Sequence, residues 1–346
     1  MVRFLIHISH GYSVPIGKPL QKEIRERGYE VKWFSELDAA KQYLTEEETL
    51  LNTVQEVMDY NPEIVLVATD VVPHFFPGIK VEIFHGFLVN KWSFKKGHFR
   101  IRGFFDLYCT QGPSTTRPFN MLKKKHGYFD VIETGWSKVD PLFEKTNTLQ
   151  RINNKPTVLI SSTFTTKYSL ANIPEVFEEI KRLSLIGKWQ FLVILHPKMN
   201  PVIVEKFKSL ENENLKYFDT TDIIPIFKIA DIMFSDTTSA IPEFILQHKP
   251  VVTFRNNKPM PHLMNINEVE EIEKSLEEAF SYPKRIMDEI DTYIEFTHPY
   301  SDGKSSKRIV DATISFLEKD RSYLKRKPLN LLRKYQMRKK LNYFKF

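Results

Sequence analysis

Short apolar runs of strand length alternate with longer amphipathic segments along nearly the whole chain, and this restricts it to a parallel α/β design. Runs at 2–9, 30–35, 64–69, 81–85, 107–110 and 131–133 read as strands of a first unit. Helical patterns fall at 18–27, 39–60 and 114–126. A second set of strands is expected at 157–161, 190–195, 215–218, 232–235 and 251–254, with helices at 173–185, 201–210 and 241–248. Pro242 suits a first helical turn, where its missing N–H costs nothing.

A chain of 346 residues has the length of two domains, and an apolar fraction of 42% is enough for a core in each. The stretch 146–155 is polar and lacks apolar periodicity, which marks it as the linker. The expected division is a Rossmann-like domain over 1–145, a second over 156–300, a helix over 301–320 that packs back on the first domain, and a basic tail over 321–346. Two such halves facing a central cleft are the two-domain GT-B architecture.

Charge is distributed unevenly. Residues 321–346 hold ten Lys or Arg and no acid, which leaves 40 basic residues against 43 acids in the rest, a net charge of −3. The mildly acidic body argues against a chain that coats nucleic acid. The tail interleaves its charges with Leu324, Leu329, Leu331, Leu332, Tyr335, Met337, Leu341, Tyr343, Phe344 and Phe346, a composition that fits an anionic membrane surface. RNA binding and a solvated tail are the alternatives. No apolar run reaches the roughly 18 residues of a membrane span, and no signal peptide is evident. The single cysteine, Cys109, excludes an intrachain disulfide and reads as a buried strand residue. The expected location is the cytoplasm, peripheral on the inner face of the cell membrane.

Chemistry concentrates where strands end, which is where open parallel sheets bind ligands. His85 and Gly86 follow one apolar run. A histidine there can take a proton from an attacking hydroxyl, and a glycine allows close approach. His196 precedes Pro197, which holds it extended and can aim the ring at a phosphate. Ser235-Asp236-Thr237-Thr238-Ser239 opens a helix and offers hydroxyl and amide donors to a diphosphate, although such residues also serve as ordinary caps. Glu243, one turn further on, is placed for a ribose hydroxyl or simply faces solvent. Thr163 lies in a hydroxyl-rich loop after the first strand of the second unit. Weaker candidates are Gly86, His10 beside Gly11, and Asp302 and Ser305 in a late turn that lacks Walker spacing. No paired Cys/His spacing or HExxH occurs, so neither a metal nor another cofactor is expected.

In their order and spacing these motifs resemble the CDP-glycerol glycerophosphotransferases, the teichoic-acid polymerases and primases of GT-B type. The resemblance covers roughly 60–318 and rests on His85-Gly86, His196-Pro197, the 235–239 stretch with Glu243, and Asp302-Gly303-Lys304-Ser305-Ser306. Two departures touch donor and acceptor. Ser162-Thr163-Phe164-Thr165 lacks the family's proline and arginine, and Phe87-Leu88-Val89 replaces its small polar and proline residues. Residues 231–318 are also similar to the non-hydrolysing UDP-N-acetylglucosamine 2-epimerases, with His248-Lys249-Pro250 as a GKP-like turn, though that family's first-domain acidic and arginine motifs are not apparent.

The first resemblance implies transfer of a polyol phosphate, glycerol phosphate above all, from a CDP-activated donor to a hydroxyl of a cell-surface glycan or lipid-linked acceptor. His85 would be the base. His196, Thr163, Ser235, Thr237, Thr238 and Ser239 would hold the diphosphate, and Glu243 the ribose. The alternatives are a UDP-sugar enzyme of the same fold, glycosyltransferase or epimerase, and a nonenzymatic binding protein with a basic tail. No nucleic-acid partner is expected.

Overall fold

The computed structural model describes residues 1–87, 99–145 and 149–344. Leu88, Val89, residues 146–148 of the expected linker and Phe346 lie outside them. The chain divides into two compact units, Met1–Phe143 with Phe296–Phe346, and Glu144–Glu295.

Unit 1 carries β1 (Arg3–His7), α1 (Val14–Glu26), β2 (Glu30–Phe34), α2 (Asp38–Lys41), β3 (Leu50–Leu51), α3 (Val54–Tyr60), β4 (Ile64–Val67), β5 (Ile79–Glu82), β6 (Leu107–Thr110), α4 (Pro113–His126), β7 (Asp130–Glu133) and α5 (Asp140–Phe143). The strands form one sheet in the order β3-β2-β1-β4-β5-β6-β7, every pair parallel. β4, β5 and β6 are buried at every residue, as expected of strands covered on both faces. Cys109 is among them, and burial raises its thiol pKa far above the reactive range.

Unit 2 carries β8 (Thr157–Ser162), α6 (Pro174–Ile186), β9 (Gln190–Leu195), α7 (Pro201–Lys208), β10 (Leu215–Tyr217), α8 (Ile224–Ile229), β11 (Ile232–Ser235), α9 (Ala240–Ile245), β12 (Val251–Phe254), β13 (Met264–Ile266), α10 (Ile272–Phe280) and α11 (Lys284–Thr297), whose last residues belong to unit 1. Its parallel sheet runs β10-β9-β8-β11-β12-β13. In both sheets the strand order reverses direction, between β1 and β4 and between β8 and β11, which creates the crevice that ligands use in this topology.

The chain then returns to unit 1 with α12 (Ser305–Glu318) and α13 (Leu331–Lys340). Asp140 caps α12 from a distance, accepting the Ser305 N–H at 2.8 Å and the Ser306 N–H at 2.7 Å.

Two expectations change. The helix over 39–60 is broken into α2, β3 and α3. Glu48 is buried and accepts the Thr45 N–H at 2.7 Å, which folds the segment back. Thr53 then accepts the Glu56 N–H at 3.1 Å while Glu56 accepts from Asn52, so a new helix is capped there. The tail is also no loose appendage. Lys325 N–H donates to Gly127 O at 2.9 Å, Tyr323 bonds Asp130, Lys327 pairs with Asp106 at 2.6 Å, and the Tyr343 ring stacks on Phe75 at 4.9 Å.

Candidate functional site

In unit 2 the expected donor residues follow the carboxyl ends of three neighbouring strands, in the order β9, β8, β11, with β12 next to them in the sheet. Asp236 joins the ends of β8, β11 and β12. It is wholly buried, and its carboxylate accepts from the Ser162 hydroxyl at 2.6 Å, Thr163 N–H at 3.1 Å, Leu170 N–H at 3.0 Å and Thr237 N–H at 2.5 Å. Burial pushes its pKa up and these bonds oppose the shift. From β12, Asn256 Nδ2 donates to Asp236 O at 2.6 Å, and Asn257 N–H donates to Thr237 Oγ1 at 3.1 Å. The 235–239 turn is therefore held from both sides.

The hydroxyls of this turn differ in availability. Ser235 is completely buried and donates to Ser161 O at 2.6 Å, so it braces β8 against β11 rather than reaching a ligand. Thr237 accepts from Asn257 and keeps its own O–H as a donor. Thr238 is partly exposed, accepts from Ala240 N–H at 3.4 Å, and likewise keeps a donor. Ser239 is exposed, and Thr163 is 8% exposed beside Asp236. Glu243 is only 6% exposed, which excludes the solvent-facing alternative. α9 is six residues long, so its end is a weaker phosphate site than a long helix would be.

His196 is half-buried and packs on the exposed Phe164 ring at 4.4 Å. The Lys198 N–H donates to its Nδ1 at 3.0 Å, which places the proton of the neutral ring on Nε2. His196 thus presents an N–H donor, as a phosphate-contacting group should.

His85 has the opposite tautomer. Its Nδ1 lies 3.3 Å from Ala68 O, and a carbonyl only accepts, so Nδ1 carries the proton and the lone pair is on Nε2. Its side chain is exposed at the carboxyl end of β5, yet desolvation by nearby protein lowers its pKa, outweighing the Ala68 bond and the charge of Asp70. The turn that presents it uses a left-handed residue, and that residue is Phe84 (φ 59°), not Gly86. Trp136 Nε1–H holds Phe84 O at 3.1 Å, and Gln111 holds Gly86 O at 3.0 Å. Among the described residues, a Cβ on Gly86 would meet no atom within 4 Å. Strain of this kind persists where surrounding structure enforces it.

Around His85 the fold gathers groups that the sequence did not single out. The Tyr12 ring stands 5.9 Å from His85 and 5.1 Å from His10. Asp70 pairs with Arg102 at 2.7 Å. Glu82 is buried, and desolvation, with Asp70 adding, pushes its pKa well above the usual carboxylate range. These are acidic and arginine groups of a first domain, placed together by β4, β5 and the segment before β6 rather than by a local motif.

Asp302 and Ser305 lie at the start of α12 in unit 1. Asp302 pairs with Arg308 at 2.8 Å, and Ser305 is buried at the Asp140 cap. Lys249 of the GKP-like turn spends its amine on Phe227 O, Lys228 O and Gln247 Oε1. Among the described residues no cluster of His, Cys, Asp and Glu suits a metal ion.

Two Rossmann-like α/β units with polar groups at the carboxyl ends of their strands place the chain in the GT-B class. The family model of UDP-N-acetylglucosamine 2-epimerase matches residues 118–314, more than half of the chain, and the chain belongs to that family. Solved structures agree on the fold. The wall teichoic acid polymerase TagF matches with a TM-score of 0.67 at 12% identity, over 92% of this chain and 89% of that one. A putative UDP-N-acetylglucosamine 2-epimerase from Listeria monocytogenes matches at 0.66 and 16% identity, over 92% and 98%. The Neisseria meningitidis UDP-GlcNAc 2-epimerase bound to UDP-GlcNAc matches at 0.61 and 15% identity, over 91% and 100%. No curated protein matches in sequence. Of the two resemblances in the sequence, the family match favours the epimerases.

Proposed function

We propose that the protein acts on a UDP-sugar, and that its reaction is epimerisation at C2 of UDP-N-acetylglucosamine or a close relative. The observation that carries this reading, beside family membership, is the opposed tautomers of the two histidines. His85 has a basic lone pair on Nε2 and a lowered pKa. His196 has its proton on Nε2, where it suits a diphosphate oxygen. Inversion at C2 requires a proton to leave one face of the sugar and another to arrive on the opposite face. His85 takes the C2 proton as the C1–O bond breaks, so that the C–H electron pair becomes a C1=C2 double bond and UDP leaves. UDP then adds back at C1 as a solvent-derived proton joins the opposite face of C2, with Asp70, His10 and Tyr12 among the groups around the base. His196, Thr163, Thr237, Thr238 and Ser239 grip the diphosphate, Glu243 the ribose, and no metal is needed.

The test is incubation with UDP-N-acetylglucosamine in D₂O. Formation of the C2 epimer with one deuterium at C2, unaffected by a chelator, is the expected result. The same histidine pair also suits a second reading, attack of a hydroxyl on a CDP-linked polyol phosphate. CMP release from CDP-glycerol without exchange into the UDP-sugar would replace the first reading with the second.

Donor grip is tested separately. His196→Ala removes one charge-assisted bond and should weaken UDP binding, measured by calorimetry, by roughly 10–100-fold. Thr238→Val should act in the same direction and more weakly. Unchanged affinity in both variants would return these residues to packing and capping.

A further inference from the structure

The basic tail presents a surface that the sugar chemistry does not use. One side of α13 is turned to unit 1: Arg333 donates to Arg102 O at 3.1 Å, and the Arg338 guanidinium lies 4.9 Å from the centre of the Phe75 ring. This fixes which side faces out. On that side stand Leu331, Leu332 and Tyr335, exposed by 69%, 80% and 58%, with Leu329 before them at 73%. Phe344 completes the ridge, its ring 6.4 Å from Tyr335. Met337 and Leu341 are only partly exposed, and α13 ends before Phe344. Soluble proteins seldom leave so many large apolar side chains together in water without a partner.

We propose that this ridge docks on an anionic lipid surface, with the leucines and aromatic rings entering the acyl boundary and the lysines meeting the headgroup phosphates. Charge complementarity selects the partner. The segment 321–346 has no acid and ten basic residues, of which Lys327 and Lys340 are paired with Asp106 and Glu36 of unit 1. Exposed Lys124 and Lys125 at the end of α4 lie just before Gly127, where the tail is bonded through Lys325. A nucleic acid satisfies these charges but gives the leucines nothing to enter. A bilayer with acidic headgroups satisfies both. The inference is independent of which nucleotide donor the enzyme uses.

The full-length protein is the right material, because truncation would also remove the Lys340–Glu36 pair and the Tyr343–Phe75 stack from unit 1. It should float with vesicles of phosphatidylcholine and phosphatidylglycerol, bind at least about ten-fold more weakly to phosphatidylcholine alone, and dissociate as salt rises. Leu331→Gln with Leu332→Gln changes only outward side chains. It should reduce vesicle binding by about ten-fold or more and leave thermal melting and nucleotide binding unchanged. If that pair alters melting, Tyr335→Gln carries the same test alone. Undiminished flotation of a folded ridge variant would overturn the proposal, as would absence of vesicle binding by the full chain. Retention on RNA without vesicle binding would assign the tail to nucleic acid instead.

Discussion

Asp236→Ala should unfold unit 2 more readily than any other single change in the donor loops. Removing this carboxylate leaves the Ser162 hydroxyl and the amides of Thr163, Leu170 and Thr237 without their acceptor, in a place water does not reach. A buried donor left without its acceptor costs about 1–3 kcal/mol. Asp236→Asn is the sharper variant because it keeps the shape. Both carboxylate oxygens accept backbone N–H groups, so either orientation of the amide sets its NH₂ against a donor. A large share of the loss should persist. Urea denaturation followed by the fluorescence of Trp189, which is buried in unit 2, measures it. Wild-type stability in Asp236→Asn would show that the site needs only a shape, not an acceptor.

The parallel sheets were legible because their strands are continuous apolar runs, such as Phe191-Leu192-Val193-Ile194-Leu195, that only burial on both faces explains. β13 was not, because Met264-Asn265-Ile266 is only three residues long with a polar residue at its centre. The break inside 39–60 had a local signal in Thr53-Val54-Gln55-Glu56, the spacing of a capping box, which the surrounding helical pattern obscured. That His85, His196 and the 235–239 turn each follow a strand could be read. How these parts divide the work could not. Ser235 looked like a ligand donor and is a brace, and Asp236 looked incidental and is the hub, because its partners Ser162 and Leu170 lie 74 and 66 residues away. The left-handed residue before His85 is Phe84, which no local signal marks, and the tertiary bond from Trp136 to its carbonyl helps hold it. The anchoring of the tail was hidden for the same reason. The tail's partners Asp130 and Glu36 are 193 and 304 residues from Tyr323 and Lys340.

His85→Ala should lower turnover by roughly 10²–10⁴-fold, the range for a positioned acid–base group. Folding should be little affected, because the residue is exposed and its bond to Ala68 O is a long one at 3.3 Å. His85→Gln separates the base from its bond. Glutamine can still donate to a carbonyl but cannot take a proton at neutral pH, so it should be as slow as alanine. The pH profile adds a direction. Desolvation holds the His85 pKa below its ordinary value of about 6.5, so the basic form persists as pH falls to that value and below. The acid limb of kcat/KM should therefore lie below pH ~6.5. Any stability linked to this group follows the same sign: the unfolded chain takes up the proton first, so stability is lost as pH drops below about 6.5. Asp70 tests the arrangement from the side. Its charge raises the His85 pKa, so Asp70→Asn should move the acid limb to still lower pH. A merely structural Asp70 would change the rate without moving the limb. Near-normal turnover in His85→Ala, or an acid limb above pH ~6.5 that the variant leaves in place, would remove His85 as the base.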